Sequence, residues 1–375
     1  MNIKEIYAVN FRNYASCSLK LSSPITVFYG NNAQGKTNML EAVFYAAFGL
    51  SHRTSSEEAL MKLGEDAMAV GVKYEDAHGM HTVKIKKYLQ SGRANKEILL
   101  DGAKVRPKEH FGALSVVLFS PEDLQLVKGE PALRRRFYDL QISQTDRLYF
   151  ELLTKYNKVL QQRNRLLKAI LEDKADQATL GTWDGEFARL ASKITLSRIE
   201  SLKKLRIFAG KIYSSIAGGR EELTLAYELK ANNGEVLKID GSFNADPDFY
   251  LAKLAERRFV DIHQGSTGIG PHRDDLLILL DGLPMRQFAS QGQQRSAALA
   301  LKLSQLEYVK GEAGEYPVLL LDDVMSELDS SRRTQLLRFI DGKIQTFITV
   351  NDKGLLPELA GTGYYKIEAG TLTEG

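Results

Sequence analysis

Two short stretches constrain this chain more than anything else in it: "GNNAQGKT" at positions 30–37 and "LLLDD" at positions 319–323. Gly30, Gly35, Lys36 and Thr37 fill the pattern G-x-x-x-x-G-K-[ST], in which the glycines let the backbone curl with its N–H groups pointing inward at a phosphate. Asn31, Asn32, Ala33 and Gln34 supply the rest of that loop, and Asn38 follows on the first turn of the next helix. Lys36 would bring its ammonium to the β and γ phosphates of a nucleotide. Thr37 would hold magnesium (Mg2+) at a helix start whose positive end favours anions. The flanks agree: residues 25–29 are apolar and β-prone, and residues 39–48 are helix formers with few breakers.

A phosphate loop needs an acidic group at the end of another buried strand, and the stretch "YPVLLLDDVMSELD" offers it. Residues 318–321 read as a buried strand, with Asp322 and Asp323 emerging at its carboxyl end, where ligands gather on parallel sheets. Asp322 would take the magnesium, and Asp323 would orient or deprotonate an attacking water. Aspartate reaches one methylene less far than glutamate, so slow hydrolysis is expected. The competing reading is a strand ending in a solvated acidic turn. Positions 36 and 322 lie 286 residues apart. The two ends of the chain are therefore expected to fold together, with the middle as an insertion.

Shortly before the acidic strand comes "FASQGQQRSAALALKLSQLEYVK". Ser290 is placed to cap a helix beginning near Gly292, and a serine, a glycine and the amide of Gln293 at a helix start also make a second anion site. Both readings stand on the residues alone.

Composition narrows the class. A chain of 375 residues suggests two or three domains, and Cys17 is the only cysteine, which excludes an internal disulfide or a cysteine zinc cluster. Fifty Lys plus Arg against 47 Asp plus Glu is too even to indicate a nucleic-acid partner, so DNA contact would need a local patch. The amino-terminal residues lack the apolar core of a signal peptide and no run is long enough to span a bilayer, so the expected location is cytoplasmic, with no membrane partner.

The middle of the chain reads as helical and basic. Positions 146–171 hold six basic residues (Arg147, Lys155, Lys158, Arg163, Arg165, Lys168) against Asp146 and Glu151. Tyr149, Leu152, Tyr156, Val159, Leu166 and Ile170 make a stripe interrupted by Arg163, and a second helix over about 187–216 is expected to pack antiparallel to the first. The basic face either contacts DNA phosphates or is simply solvated, and the same holds for Arg134, Arg135 and Arg136. In "STGIGPHRDD", His272, Arg273 and Asp274 echo a kinase catalytic loop, but the required asparagine and kinase phosphate loop are missing, so His272 reads as part of a structural turn.

The order of these motifs resembles the ABC-type ATPase heads of the SMC class, and within it the RecF family of bacterial recombination mediators. "NFRNY" at 10–14, "GNNAQGKTNMLEA", "SHRT", "FSPEDL", "GPHRDDL" and "LLLDDVMSELD" all carry the likeness, which spans the chain. It implies an α/β fold: an ABC-type P-loop ATPase head built from both chain termini, with an inserted, mostly helical lobe. The expected division is 1–125 and 263–375 for the head and 126–262 for the lobe. The resemblance implies that Ser290 and Gly292, with Gln293 beside them, reach the γ phosphate held by a second copy of the chain. Residues 326–329 would cross the interface, and Arg53 would stand near the phosphates or else be an ordinary surface arginine.

Two places depart from the usual head. Thr349 and Asn351 stand where many ABC heads have a histidine, so a hydroxyl is expected to serve the γ phosphate. The usual glutamine loop is not identifiable, and residues 121–124 are its candidate replacement. The implied activity is ATP-dependent binding of double-stranded and gapped DNA, with ATP-driven homodimerisation and slow, DNA-stimulated hydrolysis. RecO and RecR would be partners in loading RecA on single strands. The alternatives are an ABC-type ATPase coupled to a non-DNA partner, such as a transporter, and a small-molecule kinase.

Overall fold

A computed structural model of the chain describes residues 1–90, 93–230, 236–239, 243, 245–357 and 361–375. It divides into two compact units, Met1–Leu124 with Gln305–Gly375, and Gln125–Ser304.

The first unit draws on both ends of the chain. Its core is a sheet of β3 (Ile25–Tyr29), β8 (Val116–Phe119), β13 (Val318–Asp322), β14 (Thr346–Val350), β15 (Thr362–Glu368) and β16 (Thr371–Glu374). The spatial order is β16-β15-β3-β14-β13-β8, with β16 antiparallel at the edge and the other neighbours parallel. The segments "VVLF", "VLLLD" and "TFITV" are near-continuous apolar runs because a parallel strand in mid-sheet is covered on both faces, and every residue of β8, β13 and β14 is buried. Register sets Asp322 of β13 beside Thr349 of β14, and Thr349 beside Phe28 of β3. The ends of β3 and β13 are therefore separated by one strand only, and that strand's last residues stand between them.

The same unit holds a meander of β1 (Asn2–Phe11), β2 (Tyr14–Lys20), β4 (Ala67–Asp76), β5 (Gly79–Gln90), β6 (Arg93–Leu100) and β7 (Ala103–Lys104), in the order β2-β1-β4-β5-β6-β7. Helix α1 (Lys36–Phe48) packs against strands of both sheets, which is why residues from Met39 to Phe48 are buried all round rather than on one stripe. Gly49, left-handed at φ 66°, ends the helix by donating its N–H to Tyr45 O. A short helix α2 (Pro107–His110) precedes β8.

The second unit is helices beside a small antiparallel sheet. Its helices are α3 (Pro131–Thr145), α4 (Arg147–Leu171), α5 (Leu180–Ala217) and α6 (Pro247–Gln264). Its sheet runs β10-β9-β11-β12 with β9 (Leu223–Lys230), β10 (Val236–Ile239), β11 (Asp275–Leu280) and β12 (Leu283–Pro284). Arg163 meets Asp184 towards one end of the α4–α5 pair and Tyr149 meets Arg198 towards the other, so these helices are antiparallel. The buried stripe of α4 is Tyr149, Tyr156, Val159, Arg163 and Leu167, whereas the expected Leu152, Leu166 and Ile170 are only half-buried.

Short α7 (Met285–Phe288) leads to α8 (Gln291–Ala313). The junctions fall at 124/125 and 304/305, the second well past the expected 262/263. Strand β11 accounts for part of the difference, since it pairs with β9 along its whole length and so belongs to the second unit. The remaining helices α9 (Val324–Glu327) and α10 (Ser330–Ile340) follow β13 in the first unit.

Candidate nucleotide site

The loop after β3 is shaped by close approach. Gly30 has φ 142° and Gly35 φ 117°, and a Cβ on Gly30 would lie 2.5 Å from Ile367 O while one on Gly35 would lie 2.6 Å from Asn13 Nδ2. No larger residue fits either position. The loop is pinned from three sides. Tyr14 Oη donates to Gly35 O at 2.9 Å, Asn13 Nδ2 donates to Gln34 O at 2.8 Å, and Asn38 Nδ2 donates to Asn13 Oδ1 at 2.8 Å. From the β15–β16 turn, Ala369 N donates to Gln34 Oε1 at 2.7 Å and Gly370 N to Gln34 O at 3.0 Å.

Lys36 opens α1 with its ammonium folded back over the loop. It donates to Gly30 O (2.7 Å), Asn31 O (2.8 Å) and Asn351 Oδ1 (2.9 Å), which satisfies its three donors. Burial pulls its pKa below the ordinary lysine value, against the opposing pull of Asp323 and Asp322.

Beside it, Thr37 Oγ1 donates to Asp322 Oδ1 at 2.8 Å across 285 residues of sequence. Thr349 Oγ1 donates to the same oxygen at 2.8 Å and accepts from Asp323 N at 2.8 Å. Burial raises the Asp322 pKa, and the hydrogen bonds from Thr37 and Thr349 work the other way. Two hard oxygen donors thus converge next to the lysine. Magnesium takes one or two protein oxygens and fills its shell with water and phosphate, so Thr37 and Asp322 fit that ion. Asp323 sits at φ 52° as the chain turns from β13 into α9, where Ser326 Oγ donates to Asp323 O at 2.7 Å.

These groups border a cavity of about 700 Å³. Of the residues expected from sequence, Asn32, Ala33, Gly35, Lys36, Thr37, Asn38, Arg53 and Asp323 line it. Gly30 and Asn31 take part through carbonyls, Asp322 through Thr37, and the Gln34 side chain is taken up by Ala369. Arg53 Nη1 donates to Asn38 Oδ1 at 2.9 Å and approaches Glu41 at 3.5 Å.

Arg12, Asn13 and Glu41 escaped the sequence reading. Arg12 grips the fully buried Glu41 in a two-pronged pair, 2.8 Å on each prong, and Ser51 Oγ donates to it at 2.6 Å. Burial would raise the Glu41 pKa, but the bonds from Arg12 and Ser51 outweigh it and hold it below the usual value. The signal was present, since Glu41 is the one acid of α1 and sits within its apolar run from Met39 to Phe48. The Thr349 hydroxyl, expected to serve a phosphate, belongs to a residue that lines the cavity and is bonded here to Asp322 Oδ1 and the Asp323 N–H.

In the second unit, Ser290 and Gln293 form a reciprocal capping box at the start of α8. Ser290 N donates to Gln293 Oε1 at 2.7 Å, and Gln293 N donates to Ser290 Oγ at 3.3 Å. Gln293 Nε2 also donates to Glu221 Oε1 at 2.7 Å. Ser290 is exposed, with Gly292 half-buried beside it.

The basic stretches change character. Arg134 is buried against Asp275 in a two-pronged pair of 2.8 and 2.7 Å, and Arg135 Nη1 donates to Asp274 O at 2.8 Å. Arg163 is fully buried, bonded to Asp184 (2.8 Å), Asp261 (3.1 Å) and Thr267 (2.8 Å). These three arginines hold the unit together. Lys155, Lys158, Arg165 and Lys168 of α4 remain exposed. His272 accepts from Tyr156 Oη at 2.6 Å and donates through Nε2 to Thr267 O at 3.0 Å, which matches its reading as part of a structural turn.

The RecF/RecN/SMC N terminal domain family matches residues 2–362. The DNA replication and repair protein RecF of Halothermothrix orenii is 40% identical over 386 residues, covering all of this chain and 99% of its own. That of Streptococcus suis is 39% identical over 375 residues with both chains covered in full. A solved structure of the recombination mediator protein RecF with ATP, in the RecFOR pathway, has a TM-score of 0.88 at 36% identity and covers 100% of this chain and 97% of that one. The Smc head domain of Pyrococcus furiosus, solved with the C-terminal domain of ScpA, has a TM-score of 0.54 at 13% identity, covering 100% and 96%, and shares the fold.

Proposed function

Since the chain belongs to the RecF/RecN/SMC N-terminal domain family, and within it to the RecF proteins, it is an ABC-type ATPase head of DNA replication and repair, and we propose that it works as an ATP-switched DNA-binding clamp. One observation carries the nucleotide half of this reading: Lys36 and Thr37 line one cavity, and Thr37 is bonded there to Asp322 from the other end of the chain.

In the proposed cycle the triphosphate of ATP takes the backbone N–H groups of the loop and the Lys36 ammonium, which exchanges loop carbonyls for phosphate oxygens. Thr37 and Asp322 would hold magnesium, whose charge would neutralise the β and γ phosphates. Asp323, fixed by its N–H bond to Thr349, orients the attacking water. Ser290, Gly292 and Gln293 close the site from a second copy, so ATP binds the closed dimer more tightly than the monomer and hydrolysis releases it. The dimer holds double-stranded and gapped DNA, which stimulates a weak ATPase, and acts with RecO and RecR in loading RecA.

Sedimentation with ATP, without it, and with ATP plus gapped duplex tests the whole. Dimers that form with ATP and gain affinity for the duplex are the expected result. A chain that stays monomeric with ATP and DNA refutes the clamp.

A further inference from the structure

The start of α8 is held from outside its own helix. Gln293 turns its side-chain oxygen to Ser290 N and its side-chain nitrogen to Glu221 Oε1, each at 2.7 Å, so one amide joins the capping box to a carboxylate 72 residues earlier. The other oxygen of that carboxylate accepts from Tyr213 Oη at 2.7 Å. Tyr213 is fully buried near the end of α5. Cations are close by, since Arg206, Lys211 and Arg220 line one cleft with Glu221. Among the described residues, however, both oxygens of Glu221 go to neutral donors and no ion pair competes for them.

The backbone that presents Glu221 is itself fixed. Glu222 N donates to Asp281 Oδ1 at 2.8 Å, Asp281 N donates to Glu222 O at 2.9 Å, and Leu223 pairs with Leu280 as β9 begins. The chain then runs from β11 through β12 and α7 to Ser290. One small sheet therefore sets both the carboxylate and the cap.

The chemistry of the contact is one-sided. A side-chain amide can present its donor or its acceptor end to Ser290, and only the acceptor end completes the cap, because Ser290 N is a donor. An ionised carboxylate accepts and never donates, so Glu221 selects the amide rotation that leaves the oxygen facing Ser290. The bond from Tyr213 keeps the carboxylate turned towards Gln293 and away from the cations of the cleft.

We infer that Glu221 is a positioning residue of the composite site: held by Tyr213, it fixes the Gln293 amide and through it the Ser290 turn at the start of α8. The inference rests on the proposed contact of that turn with a nucleotide on a second copy, and it adds what readies the turn before any nucleotide arrives. Glu221 acts through Gln293 and has no part in the chemistry.

The test uses the full chain and two readouts. Hydrogen exchange without nucleotide follows the backbone amides of 290–293, and sedimentation with ATP and magnesium follows dimerisation. Glu221→Ala should speed exchange at 290–293 and weaken the dimer, each by about tenfold, while ATP affinity at a protein concentration too low for dimers stays native. Glu221→Gln keeps an acceptor for Gln293 and should remain within about threefold of native in both readouts. Gln293→Ala should reproduce the weakened dimer, and adding Glu221→Ala to it should cost nothing more. Native exchange in Glu221→Ala, a loss of ATP affinity along with the dimer, or additive losses in the double variant would each overturn the role. A native chain that stays monomeric with ATP while the exchange results hold would leave Glu221 as the residue that orders the cap, and the contact with a second copy would be what fails.

Discussion

Thr349 has the most work for its size in this molecule. Its hydroxyl donates to Asp322 Oδ1 and accepts the N–H of Asp323, so one oxygen ties the Asp322 carboxylate to the Asp323 backbone. Thr349→Val keeps the shape, removes both bonds and leaves the half-buried Asp323 N–H without this partner, which costs about 1 kcal/mol. We expect ATP binding within about twofold of native and hydrolysis slowed by about tenfold or more, read by equilibrium binding and single-turnover assays. Equal losses in both would place the damage at the loop instead. Lys36→Ala removes the only cation buried in the loop and should abolish nucleotide binding, checked by titration with a fluorescent ATP analogue. The left-handed φ of Asp323 also belongs at this scale, because aspartate is among the few non-glycine residues that adopt it at small cost.

The elements explain what was legible in the sequence and what was not. The phosphate loop, the acidic strand and the Ser290 cap were readable because each is a contiguous pattern with local hydrogen bonding. Asn351 as an acceptor for Lys36, 315 residues away, was not, since only the placing of β14 between β3 and β13 brings the two together. Arg134 and Arg163 misled for the opposite reason: charge on a helix reads as surface, and the carboxylates that bury it arrive from β11, α5 and α6.

The same packing makes a prediction for the second unit. Asp274 is fully buried, and burial first of all raises its pKa from 3.8 to about 7, against the bonds from Tyr227 and Lys230 N and the nearby Arg198 and Arg135. The folded state therefore keeps a proton that the unfolded chain releases, and stability falls as pH rises from 3.8 to about 7. Desolvation lowers His272 from 6.5 to about 4, so there the unfolded chain holds the extra proton and stability rises across that window. The two slopes oppose each other between about 4 and 6.5. Asp274→Asn should uncover a melting temperature that climbs with pH in this range, and His272→Gln one that declines. Unchanged profiles in both variants would show that neither group titrates as its surroundings dictate.

At the scale of the whole molecule, the two units carry different halves of the proposed composite site, the loop and carboxylates in one and the Ser290 cap in the other. Asp323→Asn should hold ATP and accumulate as a dimer, whereas Ser290→Arg should bind ATP and sediment as a monomer. Dimers from the second variant would exclude the contact in trans. The β15–β16 turn has a further consequence. It braces the phosphate loop through Ala369 and Gly370, which follow Gln34 by 335 and more residues. A chain truncated before that hairpin should therefore lose both bonds to Gln34 and bind ATP more weakly than the full chain, which a titration of the truncated protein would read.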